Sequence, residues 1–404
     1  MDRQELIEQL AVPTEAKIVM IVMDGLGGSI HPDKKQTELE ASVHPNLDAL
    51  AQVSACGVQD PVASGITPGS GPGHLGLFGY NPIRYLIGRG LLDTVGIDVP
   101  LTPQDLTARG NFATLDLDKG VLTDRRAGRI PTEENIRLCK KLSGLKIDGT
   151  EILVQPVKEH RVSIIFRGEG LSDFLTDADP QKEGVPPIPA KTLKNEASKS
   201  AEVVNRFLEE CRNRLKGETR ANCLLLRGFS KMVNLPSFSK IYKLDPAAIA
   251  LYPMYRGLAR LVGMTILDSK EQTLAGEFET LKENWNKFNF FFLHFKATDS
   301  AGEDGNFEKK VKAIEEMDHQ IEKLRAMDPD VIVVSGDHST PCAFSGHSWH
   351  PVPTIIYSKK AHYRGPERFT EYQCAKEGFL GRISSTEIMP LALANAGKLL
   401  KYGA

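Results

Sequence analysis

Three separated segments of the chain end in the same way, with an apolar run that stops at acids. "KIVMIVMDG" (17–25), "FNFFFLHFKATD" (288–299) and "DVIVVSGDHST" (330–340) terminate at Asp24, at Asp299, and at Asp337 with His338. Apolar runs of strand length without alternation mark strands buried on both faces, as in parallel sheets covered by helices. A helical pattern, "FEKKVKAIEEMDHQIEKLRAM", lies between the second and third runs, giving β-α-β order. The expected fold class is therefore α/β, with a mostly parallel central sheet flanked by helices. Ligands of open parallel sheets bind beyond the carboxyl ends of the strands, so the three endings predict one site on one rim.

The middle of the chain differs in character. "LTDRRAGRIPTEENIRLCKKL" reads as a basic turn followed by a helix capped at Thr132, and "HRVSIIFRGEGLSD" as a strand with arginine at both ends. "QKEGVPPIPA" has the proline content of a linker. Residues 108–190 are thus expected to form an inserted smaller α/β domain, with 1–107 and 191–404 forming the core. "ANCLLLRG" is expected to return to the main sheet as a buried strand, and "AAIALYPMYRGLARLVGM" to be helical.

Composition narrows the partners. The 404 residues carry 50 basic and 52 acidic side chains, a formal charge of -2, so no bulk charge draws the chain to nucleic acid or anionic membrane. No apolar run approaches the ~20 residues of a membrane span, and the N-terminus is too charged for a secretory signal, so a cytoplasmic protein is expected. The six cysteines include no C-x-x-C pair, which argues against a disulfide framework or a thiolate zinc site.

"SGITPGSGPGHLGLFGYNP" (64–82) spends six glycines and three prolines around Ser70 and His74. Such a run is expected to form an unusual turn that exposes the serine, not an ordinary helix or strand. Asp24, Asp299, Glu303 and Asp337 would repel one another on one rim unless cations neutralised them. His338 and His347 beside such oxygen ligands suit Mn²⁺ or Zn²⁺, and two ions are the natural count. A two-metal pair can activate a hydroxyl and clamp a phosphoryl group, which makes Ser70 a candidate nucleophile, with His74 holding the loop or touching the anion. Arg125, Arg126, Arg129, Arg161 and Arg167 offer planar forks for the far end of a small dianionic substrate. His160, beside Arg161, is weighed as a base and reads more simply as structural.

Taken together, "VMDGLGG", "GITPGSGPGHLGLFGYNP", "IGRGLLDTVGID", "TDRRAGRI", "RGEGLSD", "ANCLLLRG", "HFKATDSAGEDGN", "SGDHSTP" and "HSWHPVP" resemble, nearly end to end, the archaeal-type cofactor-independent phosphoglycerate mutases of the alkaline phosphatase superfamily. The resemblance implies an alkaline-phosphatase-like core with an inserted substrate-binding domain. It also implies interconversion of 3-phosphoglycerate and 2-phosphoglycerate through a phosphoserine, without a bisphosphoglycerate primer or any organic cofactor. Carried over by motif, Ser70 is the nucleophile; Asp24, Ser70, Asp337 and His338 hold one metal, and Asp299 and His347 the other.

Many relatives read D-x-x-x-H where this chain has Asp299 and then Glu303, so the third ligand of the second site is a carboxylate or is absent. A carboxylate favours Mn²⁺ or Mg²⁺ over Zn²⁺, and Mn²⁺ is the expected ion, with Mg²⁺, Zn²⁺ and Co²⁺ as alternatives. A phosphomonoesterase or phosphonate hydrolase on the same core is the rival reading. The expected partner is a small phosphorylated acid, with no nucleic acid and no membrane; a homo-oligomer is left open.

Overall fold

A computed structural model describes residues 2–97 and 99–403. The chain divides into two compact units: the segments up to Leu86 and from Leu235 onward form one, and Ile87–Asn234 form the other. In chain order the strands are β1 (Ile18–Met23) and β2 (Ala55–Asp60), then β3 (Asp105–Asp116), β4 (Val121–Asp124), β5 (Leu145–Ile147), β6 (Thr150–Lys158), β7 (Arg161–Arg167) and β8 (Cys223–Lys231). β9 (Pro246–Ala250), β10 (Thr265–Leu267), β11 (Phe290–Phe295), β12 (Val331–Ser335), β13 (Val352–Ser358) and β14 (Gly381–Ser384) complete the set.

The first unit is built on an eight-stranded sheet of order β10-β9-β11-β1-β12-β13-β2-β14. β1 pairs in parallel with β11 on one side and β12 on the other. Only β13 runs against its neighbours, between β12 and β2. All six residues of β1 are buried, as are all of β11 and β12, which is what runs without polar alternation require. Val19, Ile21 and Met23 share one apolar cluster with Phe291, Leu293, Ile332, Val334 and the helix residues Ile314, Met317 and Ile321. The segment expected to be one helix from Ala247 is instead β9 followed by the helix Pro253–Leu261. Pro253 at the first helical position starts the helix there, and a five-residue apolar run before it carries no period that tells strand from helix. No helix is long and apolar enough to cross a membrane among the described residues.

The second unit carries an antiparallel sheet of order β4-β3-β7-β6-β5, with β8 on the other edge of β3. It is broader than the expected 108–190 because β3 begins earlier and β8 does not return to the main sheet: Phe112 pairs Leu224 and Gly110 pairs Leu226. The helix Ser198–Arg214 goes with it, burying Val204, Phe207 and Cys211 in one cluster with Phe112, Ile164 and Leu226. Thr132 is the first residue of the helix Thr132–Leu142 and not its cap; its hydroxyl accepts from the Glu159 backbone at 3.1 Å.

Candidate functional site: an acidic rim and an arginine cluster

The four acidic and imidazole residues that end the parallel strands meet. Asp24 follows β1, Asp299 lies one turn into the helix Ala297–Glu303 after β11, and Asp337 and His338 follow β12. All four are fully buried. Asp24, Asp337 and His338 offer ligand atoms within 4.8 Å of one another, and Asp299, His338 and His347 form a second such group.

Ser70 reaches the first group from a helix, where a turn was expected. Ser70–Leu77 is α-helical, starting at Ser70 after Gly69. Pro72 sits in the first turn, where no backbone donor is needed. The glycines serve close approach: a Cβ on Gly73 would lie 2.1 Å from the Asp337 carbonyl oxygen, and one on Gly76 would lie 2.0 Å from Ser385 Oγ. His74, one turn on, is fully buried and donates from Nδ1 to the Ser70 carbonyl at 2.8 Å, so it ties the helix down. The same nitrogen is 3.1 Å from Asp337 Oδ2. Burial resists charging His74, but Asp337 outweighs it and holds the imidazole above its ordinary pKa.

The proton positions around His338 follow from the partners. A carboxylate only accepts, so Thr340 Oγ1 donates to Asp299 Oδ1 at 2.7 Å and must itself accept from His338 Nδ1 at 2.9 Å. That leaves His338 Nε2 as an acceptor, which takes the Ser70 Oγ hydroxyl at 3.2 Å and stands 3.3 Å from both Asp24 Oδ1 and Asp337 Oδ2. Burial keeps His338 below its ordinary pKa, hence neutral. Neither Asp24 Oδ1 nor Asp337 Oδ2 has a properly directed hydrogen bond. Burial resists ionising Asp24, but Lys296, His294 and His338 outweigh it, and its carboxyl is held well below the usual range. Ionised oxygens and an unprotonated imidazole nitrogen facing one another, with a hydroxyl on that nitrogen, fit a divalent cation.

His347 repeats the pattern. Its Nδ1 donates to the Pro68 carbonyl at 2.9 Å, leaving Nε2 free at 3.6 Å from Asp299 Oδ1 and 3.7 Å from Glu303 Oε1. His338 falls in this second group by distance, yet its Nδ1 is engaged by Thr340, so Asp299 and His347 supply the available lone pairs. Glu303 remains half exposed and stands outside the tight group.

In the second unit the five nominated arginines separate. Arg125 makes a two-pronged pair with Asp179 (3.0 and 2.6 Å), and Arg167 one with buried Asp105 (3.0 and 2.8 Å). Arg126, Arg129 and Arg161 have no side-chain hydrogen bond or ion pair among the described residues. The turn that carries the first two is pinned by Asp124, which accepts from the backbone of Arg126 and Gly128. It holds Ala127, Gly128 and Arg129 at φ of 49°, 66° and 52°, a conformation rarely adopted by side-chain-bearing residues. His160 is buried and pushed down to about 4, first by burial and then by Arg161, Arg126, Arg109 and Arg129. Arg109, at the middle of β3, is pushed down to about 10 by burial and by Arg89, Arg161 and Arg227, with Asp93 only partly offsetting them.

A family model described as 2,3-bisphosphoglycerate-independent phosphoglycerate mutase matches residues 51–220. The "Probable 2,3-bisphosphoglycerate-independent phosphoglycerate mutase" of Thermosipho melanesiensis is 52% identical, with 100% of both chains covered. The chain belongs to this family. A Thermus thermophilus member is 48% identical over the full length of both chains. Among solved structures, a Pyrococcus horikoshii protein superposes with a TM-score of 0.83 at 27% identity, covering 96% of this chain and 99% of the other. The cofactor-independent phosphoglycerate mutase of Thermoplasma acidophilum gives 0.71 at 32% identity, covering 95% and 100%.

In this phosphoglycerate mutase family member, sequence reasoning missed two sets of residues. Lys296, His294 and Thr340 hold the rim's carboxylates, and the first two lie in the same strand ending, "HFKATD", that pointed to Asp299. Arg89, Arg109 and Arg227 enlarge the basic cluster; Arg89 and Arg227 sit in "IGRGLLDTVGID" and "ANCLLLRG", read for family or strand content and not for charge, and Arg109 lies in a stretch that drew no reading.

Proposed function

We propose that this chain interconverts 3-phosphoglycerate and 2-phosphoglycerate through a phosphoserine on Ser70, with no bisphosphoglycerate primer. The observation that carries the mechanism is His338 Nε2, which lies 3.2 Å from the Ser70 hydroxyl and 3.3 Å from each of two buried carboxylate oxygens without a hydrogen-bond partner, Asp24 Oδ1 and Asp337 Oδ2. In this reading Asp24, Ser70, Asp337 and His338 hold one divalent cation; Asp299 and His347 hold a second, with Glu303 as a nearby carboxylate. Mn²⁺ suits the mixed carboxylate and imidazole donors, and Mg²⁺, Zn²⁺ or Co²⁺ are the alternatives. When bound, such ions lower the pKa of a neighbouring hydroxyl and offset charge on phosphoryl oxygens.

The residues then divide the work. Ser70 Oγ attacks phosphorus, the bond from phosphorus to the 3-oxygen breaks, and glycerate forms. The 2-hydroxyl of the retained glycerate attacks the phosphoserine and the Ser70 oxygen leaves, so phosphate is neither gained nor lost. Thr340 holds His338 in the tautomer that leaves Nε2 open, and His74 holds the helix that carries Ser70. The unpaired arginines of the second unit supply the anion-binding element for a small phosphorylated acid. A glycolytic metabolite as substrate supports a cytoplasmic location.

Phosphorus NMR of the purified protein with 3-phosphoglycerate and Mn²⁺, without bisphosphoglycerate, tests this. A growing 2-phosphoglycerate signal without free phosphate is expected. Free phosphate alone would assign a hydrolase.

A further inference from the structure

The four carboxylate oxygens of Asp24 and Asp299 separate into two pairs. Asp24 Oδ1 lies 3.3 Å from His338 Nε2, and Asp299 Oδ1 lies 3.6 Å from His347 Nε2. These two oxygens belong to different ligand groups. The other two converge on one ammonium: Lys296 Nζ donates to Asp24 Oδ2 at 3.0 Å and to Asp299 Oδ2 at 2.5 Å. Its third proton goes to Tyr255 Oη at 2.9 Å, so every donor of the side chain is used.

The surroundings fix this arrangement. His294 Nε2 donates to the same Asp24 Oδ2 at 3.0 Å, and its ring stacks on Tyr255 with centroids 3.5 Å apart. The Lys296 side chain is four-fifths covered. Lysine carries a flexible stem and a point charge, and gives up rotamer freedom when held in one place. A lysine needed only to neutralise acid could do so loosely from solvent; here it is clamped by three partners, and the carboxylate oxygens it holds are not those nearest His338 and His347.

We infer that Lys296 is a positioning residue that couples the two cation sites. By holding Oδ2 of both aspartates it turns one oxygen of each toward its own group, and it ties the orientation of one carboxylate to that of the other. Filling either site then prepares the other, because the same ammonium fixes both ligands. The inference rests on the two-cation reading above. It goes beyond that reading in assigning a residue that belongs to neither ligand group and yet sets the affinity of both.

Simple charge compensation makes the opposite prediction. If Lys296 were only a counter-ion, removing its charge would leave the acids more attractive to cations, and binding would tighten. The experiment is a Mn²⁺ titration of the substrate-free protein, wild type against Lys296→Met, which keeps the apolar stem and removes the donors. Equilibrium dialysis reports stoichiometry and affinity, and electron paramagnetic resonance reports whether two Mn²⁺ ions lie close enough to couple.

The wild type is expected to bind two ions per chain with an exchange-coupled spectrum. Lys296→Met is expected to lose about 10–100-fold in affinity at both steps, the range for removing a residue that orients metal ligands, and to lose the coupled spectrum at stoichiometric loading. Two ions bound as tightly or more tightly by Lys296→Met, with coupling retained, would overturn the inference. Tyr255→Phe, which leaves the lysine in place and removes its third partner, covers the case in which Lys296→Met does not fold. A loss of about fivefold at both steps is expected, and unchanged binding would overturn the inference. A wild type that takes up no second ion would overturn the two-cation reading itself, and with it the coupling.

Discussion

The two units of this protein concentrate opposite charge. The first buries Asp24, Asp299 and Asp337 at the ends of three neighbouring parallel strands, with Lys296 paired to Asp24 and Asp299. The second gathers Arg89, Arg109, Arg126, Arg129, Arg161 and Arg227, with Asp93 partly offsetting the others at Arg109 and Asp179 and Asp177 partly offsetting them at Arg227. An acid left short of donors asks for a metal ion, and arginines left short of carboxylates ask for an anion. The means of support also differ. The acids are fixed by strand ends, whose register is set by the burial of both sheet faces. The arginines come from the middles and edges of antiparallel strands and from a strained turn, and are held by a few carboxylates that spend themselves on backbone or on neighbouring arginines.

The comparison is sharpened most by removing the nucleophile. Ser70→Ala is expected to lower mutase turnover on the order of 10³-fold or more while leaving phosphoglycerate binding largely intact, since it removes one hydroxyl and none of the arginines proposed to bind the anion. Turnover by coupled assay and binding by calorimetry check both halves. The next largest effect is expected of Thr340→Val, which strips Asp299 Oδ1 and His338 Nδ1 of their shared partner; Mn²⁺ affinity measured by dialysis should fall about 10–100-fold. A wild-type affinity in that variant would break the tautomer argument.

Two arginine variants test whether the second unit divides as its pairing suggests. Arg161→Met, from the unpaired set, should raise KM about tenfold with little change in melting temperature. Arg167→Met should do the reverse. It strands the fully buried Asp105, at a cost of about 1–3 kcal/mol, kept modest because the guanidinium is one-third exposed, and it should leave KM unchanged. Equal effects on KM would erase the division.

The smallest effect is a pH slope. His160 is held neutral in the fold down to about 4, whereas an unfolded histidine takes up its proton near 6.5. The unfolded chain therefore binds more protons between these values, so this contribution to stability is complete above about pH 6.5 and is lost as the pH falls toward 4. Melting curves of His160→Gln across that window should show a shallower decline than the wild type.

The rim was largely legible because its residues sit at strand ends that the sequence marks by itself: Asp24, Asp299, Asp337 and His338 each close an apolar run. Lys296 and Thr340 were not, because their importance lies in which oxygens they reach across the chain. The basic cluster was half legible. Arg125 and Arg167 looked no different from Arg126 and Arg161, and their partners Asp179 and Asp105 stand 54 and 62 residues away in the chain. The same distance effect misplaced β8, whose apolar run specifies a buried strand but not which sheet takes it. The glycines near Ser70 misled for a different reason: they permit a helix to press against the Asp337 backbone, a use that composition does not distinguish from a turn.

The central claim is that the buried acceptors around Ser70 exist to make its hydroxyl a phosphoryl acceptor. The measurement that tests it most directly is mass spectrometry of the Mn²⁺-loaded protein, quenched in acid during turnover of 3-phosphoglycerate and digested. One phosphoryl group on the peptide that carries Ser70, absent from the Ser70→Ala variant, is the predicted result. Mutase turnover that proceeds with no phosphoryl group on that peptide would contradict the account.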